Sequence, residues 1–369
     1  MESPPPKVRL HVLGLPHTVV SQAYSHCAFT GKILRFARMM QPYGYEVVEY
    51  SNGASESGAA VHVQILTAEE FAAMSARKSE REDFQADIQN GALGDLFWSR
   101  ACAALGTLAR DGDIVCHVFG PEARAVSAAP GCMHVESGIG YTCVDGAAPY
   151  RIYESSAWMH WHYGRRHMTF GANYEFVVPN YYDVGEWDVR ERVEPDAPVL
   201  YFGRLSACKG LDTVLEAARR MPETTFVVCG QGDATPWLAP NVRYEPPVHG
   251  RARSALLGSA AVLLAPTSFI EPFCGAAVEA QMCGTPVVST AFGAFNETVK
   301  EGKTGFLCHT LADVVAAIAR ARTLDRAYVA SRARARYSLE AVGARYDAAF
   351  TDIRSLRAEG WYSASSARF

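Results

Sequence analysis

The stretch that most constrains the fold runs from Ala261 to Val288. Ala261-Val-Leu-Leu-Ala265 is an unbroken apolar run of strand length, the kind a parallel sheet buries on both faces. After Pro266 comes a loop carrying Glu271, then Gly275-Ala-Ala-Val-Glu279-Ala-Gln-Met282, a stop at Gly284-Thr-Pro286, and a second apolar run at Val287-Val288. Strand, acidic loop, short helix, strand is a βαβ unit, and its crossover demands a parallel sheet covered by helices. The spacing predicts Glu271 in the loop and Glu279 about two turns into the helix. Both would face the mouth of the sheet, where open α/β sheets take their ligands.

The same rhythm recurs along the chain. Lys7–Gly14 reads as a strand, Cys27–Met40 as a helix with Ile33, Leu34, Ala37 and Met40 on one face, and Tyr45–Tyr50 as the next strand. Further strands are expected at Asp113–Phe119, Cys132–Glu136 and Phe176–Asn180, with a charged, solvent-facing helix over 67–90 and another helix over 96–109. Residues 183–198 turn acidic and proline-bearing, which predicts a linker. Beyond it come strands at Val199–Phe202, Thr225–Cys229 and Val242–Tyr244, a helix over 211–220, and a helical C-terminus from about 311.

Composition excludes several classes. The chain has 369 residues, 49% hydrophobic and 20% charged, enough for two globular domains. No apolar run approaches the ~20 residues that span a bilayer. The start, Met1-Glu-Ser-Pro-Pro-Pro6, lacks the basic-then-apolar layout of a secretory signal. A net charge of −4 gives a nucleic-acid partner no electrostatic support. The ten cysteines include no Cys-x-x-Cys pair and read as small hydrophobes in a reducing compartment, so a cytoplasmic location is expected.

The candidate chemistry lies at strand ends. Gly203-Arg204-Leu-Ser-Ala-Cys-Lys209-Gly210 follows a strand and opens a helix, where free N–H groups and the helix dipole favour phosphate. Arg204 and Lys209 could hold a diphosphate and stabilise it as it leaves. Gly230-Gln-Gly232 would let backbone come close to a base or ribose. Glu279 suits a ribose diol, because a carboxylate accepts both hydroxyl hydrogens, and Glu271 suits a hydroxyl of a second sugar. Taken singly, each has a plainer explanation as a solvated loop, a tight turn or an exposed glutamate. As a set they describe a nucleotide-sugar. Asp111-Gly-Asp113 is better read as turn chemistry than as a metal motif. His160-Trp-His162-Tyr-Gly-Arg-Arg-His167 lacks a further ligand at metal-binding spacing, so no metal site is expected.

In this order, Gly203-Arg204…Lys209-Gly210, Gly230-Gln-Gly232, Glu271 to Glu279, Ala280–Val288 and Gly302-Lys-Thr-Gly305-Phe306 resemble the family 4 glycosyltransferases, retaining enzymes of the GT-B fold. The resemblance runs from about 199 to 308 and centres on the Glu-x7-Glu element. It implies two Rossmann-like, doubly wound α/β domains facing across a cleft: 1–182 for the acceptor, a linker over 183–198, and 199–344 for the nucleotide-sugar. A final helix of about 345–369 would return to the first domain. By resemblance, Arg204 and Lys209 bind the donor diphosphate, Glu279 the ribose, and Glu271 the transferred sugar near its 3-hydroxyl. Gly203, Gly230 and Gly232 lie beside the donor, and the backbone of Phe273, Cys274 and Gly275 faces sugar and phosphate.

The first half resembles the family in Asp113–His117, where His117 ends a strand near the donor sugar, in Val135–Tyr141 and in Val177–Asp183. It departs in the loop Leu15–Gln22, which has no glycine where many members have a pair. His17, Thr18 and Tyr141 are candidates there, for donor or acceptor. The implied activity is metal-free and cofactor-free transfer of a sugar, from a UDP- or GDP-linked donor, to a glycan, lipid-linked or small-molecule hydroxyl. A lipid acceptor would bring the protein to the inner face of a membrane; Lys32, Arg35 and Arg38 on one helix could serve that contact but read more simply as a solvated face. A catalytically silent nucleotide-sugar-binding or assembly protein, and a GT-B sugar-nucleotide epimerase, are the rival readings.

Overall fold

The computed structural model of the chain describes residues 8–25, 27–75, 91–120, 122–143, 147–172 and 174–359. Of the stretches expected to be helical, 76–90 and 360–369 lie outside the described residues. The chain divides into two compact units and passes between them after Glu154, Trp158, Tyr181 and Ser338.

The first unit is built on parallel strands β1 (Arg9–Leu13), β2 (Glu46–Ser51), β3 (Val61–Gln64), β4 (Ile114–His117), β5 (Met133–Ile139), β6 (Tyr150–Tyr153) and β7 (Glu175–Val177). Their order is β3-β2-β1-β4-β5-β6-β7. The helices are α1 (Ala28–Met40), α2 (Ala68–Ser75), α3 (Ala92–Leu108), α4 (Ala123–Ala128) and α5 (Ser156–Arg165), of which Ser156–Trp158 belong with the second unit. One face buries Leu10, Val12 and Val135 against Ile33, Phe36 and Met40 of α1, and the other buries Tyr50 and Val115 against Phe71, Phe97 and Leu105. Lys32 and Arg35 do not form a basic face. Both are buried: Lys32 is paired with Glu154 and donates to Gly138 O, and Arg35 donates to Gly31 O. Of the three basic residues read on α1, only Arg38 is exposed, so Lys32 and Arg35 do not present charge to a surface.

Strands β3 and β6 were not legible. Tyr150-Arg-Ile-Tyr153 carries a charge that reads as surface, yet Arg151 is buried in one register row across three strands. It donates to Glu136 Oε1 on β5 (3.1 Å) and to Glu175 Oε1 on β7 (2.8 Å). Removing Arg151 would take a shared cation from two buried carboxylates.

The second unit repeats the design with β8 (Val199–Phe202), β9 (Phe226–Cys229), β10 (Val242–Glu245), β11 (Val262–Ala265), β12 (Val287–Thr290) and β13 (Gly305–Cys308), ordered β10-β9-β8-β11-β12-β13 and all parallel. Its helices are α6 (Leu211–Arg220), α7 (Gly250–Ser259), α8 (Gly275–Met282), α9 (Phe295–Thr298), α10 (Leu311–Ala321) and α11 (Arg326–Tyr337). Strand order reverses between β8 and β11, so their C-terminal loops flank the crevice where doubly wound sheets bind ligands.

Residues 183–198 are fastened to this unit. Trp187 is in its core, Arg190 N–H donates to Cys283 O, and the buried Arg326 guanidinium donates to the carbonyls of Arg190, Gly258 and Ala260 and to Thr285. The last helix, α12 (Leu339–Glu359), belongs to the first unit, where Val342, Tyr346, Ala349, Phe350 and Ile353 join the core around Leu10 and Phe36.

Candidate active site

The site in the second unit is assembled from the loops after β8 and β11. After β8 the chain turns through Gly203–Gly210. The Tyr201 hydroxyl donates to Arg204 O (2.6 Å), and Leu205 N–H donates to Gln231 O (2.8 Å). Thr267 Oγ1 and Ser268 N–H, in the loop after β11, both donate to Cys208 O (2.9 and 3.0 Å), which ties the loops together. Gly210 is left-handed (φ 81°), and a Cβ on it would lie 1.9 Å from Pro266 O, so only glycine allows this approach. The result brings Lys209 Nζ to 2.5 Å from Glu271 Oε1, with the ammonium 4.8 Å from the centre of the Phe269 ring. Glu271 is buried, and its carbonyl accepts from Ala294 N–H. Arg204 is exposed, and its guanidinium makes no hydrogen bond or ion pair among the described residues.

Helix α8 starts at Gly275, so Glu279 stands about one turn into it rather than two. Cys274, just before it, is left-handed at φ 63°, an uncommon place for a residue with a Cβ. The N–H groups of Phe273, Cys274, Gly275 and Ala276 donate to nothing among the described residues. Such orphan donors at a helix start favour an anion. Glu279 is buried and paired with Arg253 of α7, whose guanidinium lies 4.8 Å from the centre of the Phe202 ring at the end of β8. Arg253 was missed by sequence reasoning. It stands 26 positions from its partner in Gly250-Arg-Ala-Arg-Ser, where nothing local marks it.

The glycines have a packing cause. A Cβ on Gly230 would lie 1.7 Å from Gly203 O, and one on Gly232 would lie 2.9 Å from Leu205 Cβ. Gly230 and Gly232 thus let the loops after β8 and β9 press together, whereas a Cβ on Gly203 would meet only ordinary contact, 3.5 Å from the Tyr201 hydroxyl.

The remaining candidates belong to the first unit. His117 ends β4 but is 1% exposed. His134 Nε2–H donates to Ala129 O, leaving His134 Nδ1 to accept from His117 Nε2–H (3.0 Å), while His117 Nδ1 accepts from Glu122 N–H. Burial, with His134 alongside, pushes His117 down to about 3, so it is neutral. Both ring nitrogens are thus engaged, and the ring is covered. Thr18 is buried with its hydroxyl on Thr30 (2.7 Å), and His17 is buried beside it. The glycine-free loop is held by Asn52, whose Nδ2 donates to the carbonyls of Leu15, Pro16 and Thr18. Tyr141 donates to Glu136 Oε2 (2.8 Å), and burial and that carboxylate raise its hydroxyl well above the usual range.

Among the described residues no group of three or more His, Cys, Asp and Glu could hold a metal. His162 is buried and donates to Tyr141 O, whereas His160 is exposed. Asp113 accepts from the N–H groups of Arg9 and Arg110 and from His11, as a buried turn residue does. All ten cysteines are free, with Cys143 and Cys208 exposed rather than buried.

Anion donors, two cations and two buried acids thus converge at the reversal point of a doubly wound sheet. Residues 197–323 match the model of the family "Glycosyl transferases group 1". The chain is 34% identical over 186 residues to a D-inositol 3-phosphate glycosyltransferase of Mycobacterium leprae, covering 43% of each chain, so it spans less than half the length of the curated relatives it matches. Among solved structures it resembles sucrose-phosphate synthase from Thermosynechococcus elongatus (TM-score 0.65, 15% identity, 94% of this chain and 99% of that one). It also resembles Anabaena HepE solved with UDP-glucose (TM-score 0.63, 14% identity, 93% and 99%). The fold is GT-B, two Rossmann-like α/β domains. Among the described residues no helix is long and apolar enough to cross a membrane.

Proposed function

We propose that the protein is a retaining glycosyltransferase that moves a sugar from a nucleoside-diphosphate sugar to a hydroxyl acceptor without a metal. The observation that carries this reading is the Lys209–Glu271 pair beside the orphan N–H groups of Phe273–Ala276. An ammonium has three protons, so Lys209 can keep one on Glu271 and turn others to a diphosphate. Arg204 adds a second cation, and the start of α8 supplies backbone donors. Together they stabilise the charge that grows on the leaving diphosphate. Glu271 takes a hydroxyl of the transferred sugar, and Glu279 the ribose. The family match over 197–323 supports the donor side, and HepE, solved with UDP-glucose, makes a UDP-sugar the first donor to try. The curated relatives act on an inositol phosphate, which puts a phosphorylated polyol beside glycans and lipid-linked sugars as acceptor classes.

The step is a front-side displacement. The bond from the anomeric carbon to the phosphate oxygen breaks, the acceptor oxygen bonds to that carbon on the same face, and the acceptor proton passes to the departing phosphate oxygen. The residues contribute positioning and charge. His117 is left out because its ring is covered. The test is incubation with UDP-, GDP- and ADP-sugars, following slow release of the nucleotide and, with an acceptor, the anomeric configuration by NMR. Retained configuration is expected. Nucleotide binding without any turnover would favour the silent-binder reading, and an inverted product would overturn the front-side step.

A further inference from the structure

Glu279 is a poor ribose acceptor on its own terms. It is buried, and a buried carboxylate without a partner loses its charge or swings away. Arg253 supplies the partner. Its Nη2 is bonded to Glu279 Oε2, and its guanidinium lies over Phe202 (4.8 Å), so the ring seats the flat face while one nitrogen of the fork holds the carboxylate. With Oε2 occupied, Oε1 is the free oxygen. It lies 3.8 Å from where a Cβ on Gly275 would be, which directs it to the start of α8 and its orphan N–H groups.

We infer that Arg253 is a positioning residue for nucleotide recognition: it holds the Glu279 carboxylate so that Oε1 meets a ribose hydroxyl. This rests on the reading of Glu279 as the ribose acceptor. Phe202 gives the arrangement its economy, because the strand end that seats Arg253 continues directly into Gly203 and the loop of Arg204 and Lys209. A ribose on Glu279 and a diphosphate on Lys209 are thereby registered against one strand end.

The experiment is calorimetric binding of UDP, 2′-deoxy-UDP, GDP and 2′-deoxy-GDP to the full chain, its Glu279→Gln, Arg253→Met and Arg253→Lys variants, and the double variant Arg253→Met with Glu279→Gln. The wild type is expected to prefer the ribonucleotide by about tenfold or more, the usual size of a hydrogen bond to a charged group. Glu279→Gln and Arg253→Met should each largely abolish that preference, Arg253→Lys should keep part of it, and the double variant should discriminate no less than Glu279→Gln alone. A purely structural role for Arg253 would lower the melting temperature and leave the ribo-to-deoxyribo ratio intact. If Glu279→Gln loses the preference and both Arg253 variants keep it, the positioning role is wrong while the ribose reading stands. If Glu279→Gln itself keeps the preference, the ribose reading fails first. A further tenfold loss for both sugar forms in the double variant would make Arg253 a direct ligand and overturn positioning.

Discussion

Of the three protons on the Lys209 ammonium, one is committed to Glu271 Oε1 and the ring of Phe269 lies beside the rest. Lys209→Ala is therefore expected to lower kcat by about 10²–10³-fold, the usual cost of a lost transition-state charge donor, with a smaller loss in nucleotide affinity. Full kcat in steady-state assays would remove Lys209 from the leaving-group site. Glu271→Ala should lower kcat while the Kd of the bare nucleotide, which has no sugar for it to hold, stays as it was.

The buried histidines make a separate, pH-dependent forecast. Burial holds His117 at about 3 and also lowers His134, His11 and His162 below the exposed value of ~6.5. As pH falls below about 6.5 the unfolded chain takes up protons that the native state refuses. Stability of the first unit then falls by up to about 1.4 kcal/mol per pH unit for each such group. Thermal melts from pH 7 to pH 5 should show a falling midpoint, and His117→Gln should flatten that slope by about one proton. That window lies above the range where the carboxylates titrate.

At the scale of elements, the contact between the loops after β8 and β9 is made by absence of side chains. Gly230→Ala forces a Cβ into Gly203 O, 1.7 Å away in the native geometry, so either the loops part or the strand ends shift. A cost of about 2 kcal/mol or more is expected, read as a drop in the melting temperature together with weaker nucleotide binding. A variant that melts like the wild type would show that the loops are not held this way.

What the sequence conveyed about these elements follows the range of the interactions. β8, β11 and the helix of Glu279 were legible because apolar runs and glycine stops are local signals. Lys209 and Glu271 were legible as members of a spaced set. β6 was hidden because the charge of Arg151 is neutralised by Glu136 and Glu175 on other strands. Arg253 was hidden for the same reason, and His117 was found at the right strand end with nothing in the sequence to reveal that His134 covers it.

At the scale of the molecule, the two units have separate cores, and only the second contains the Lys209–Glu271 and Arg253–Glu279 pairs. A nucleotide at 100 times its Kd should stabilise that unit by about 2.7 kcal/mol. Differential scanning calorimetry should show the shift in the transition of the second unit. Truncation after Ser338 should do the reverse. It removes Val342, Tyr346, Ala349, Phe350 and Ile353 from the first core, the four larger side chains alone contributing roughly 6–12 kcal/mol of burial. That is comparable to the whole stability of a domain, about 5–15 kcal/mol. Loss of the first unit's transition with the second retained is the expected result, and two intact transitions would contradict the place of α12.

The return of α12 also sets an order of events during synthesis. A ribosome releases the N-terminal side of a chain first, so the strands of the first unit emerge early and wait for residues 339–353 to complete their core. The second unit, whose last helix ends at Tyr337, has all its parts sooner. The unit that is made first is thus the one whose core is completed last.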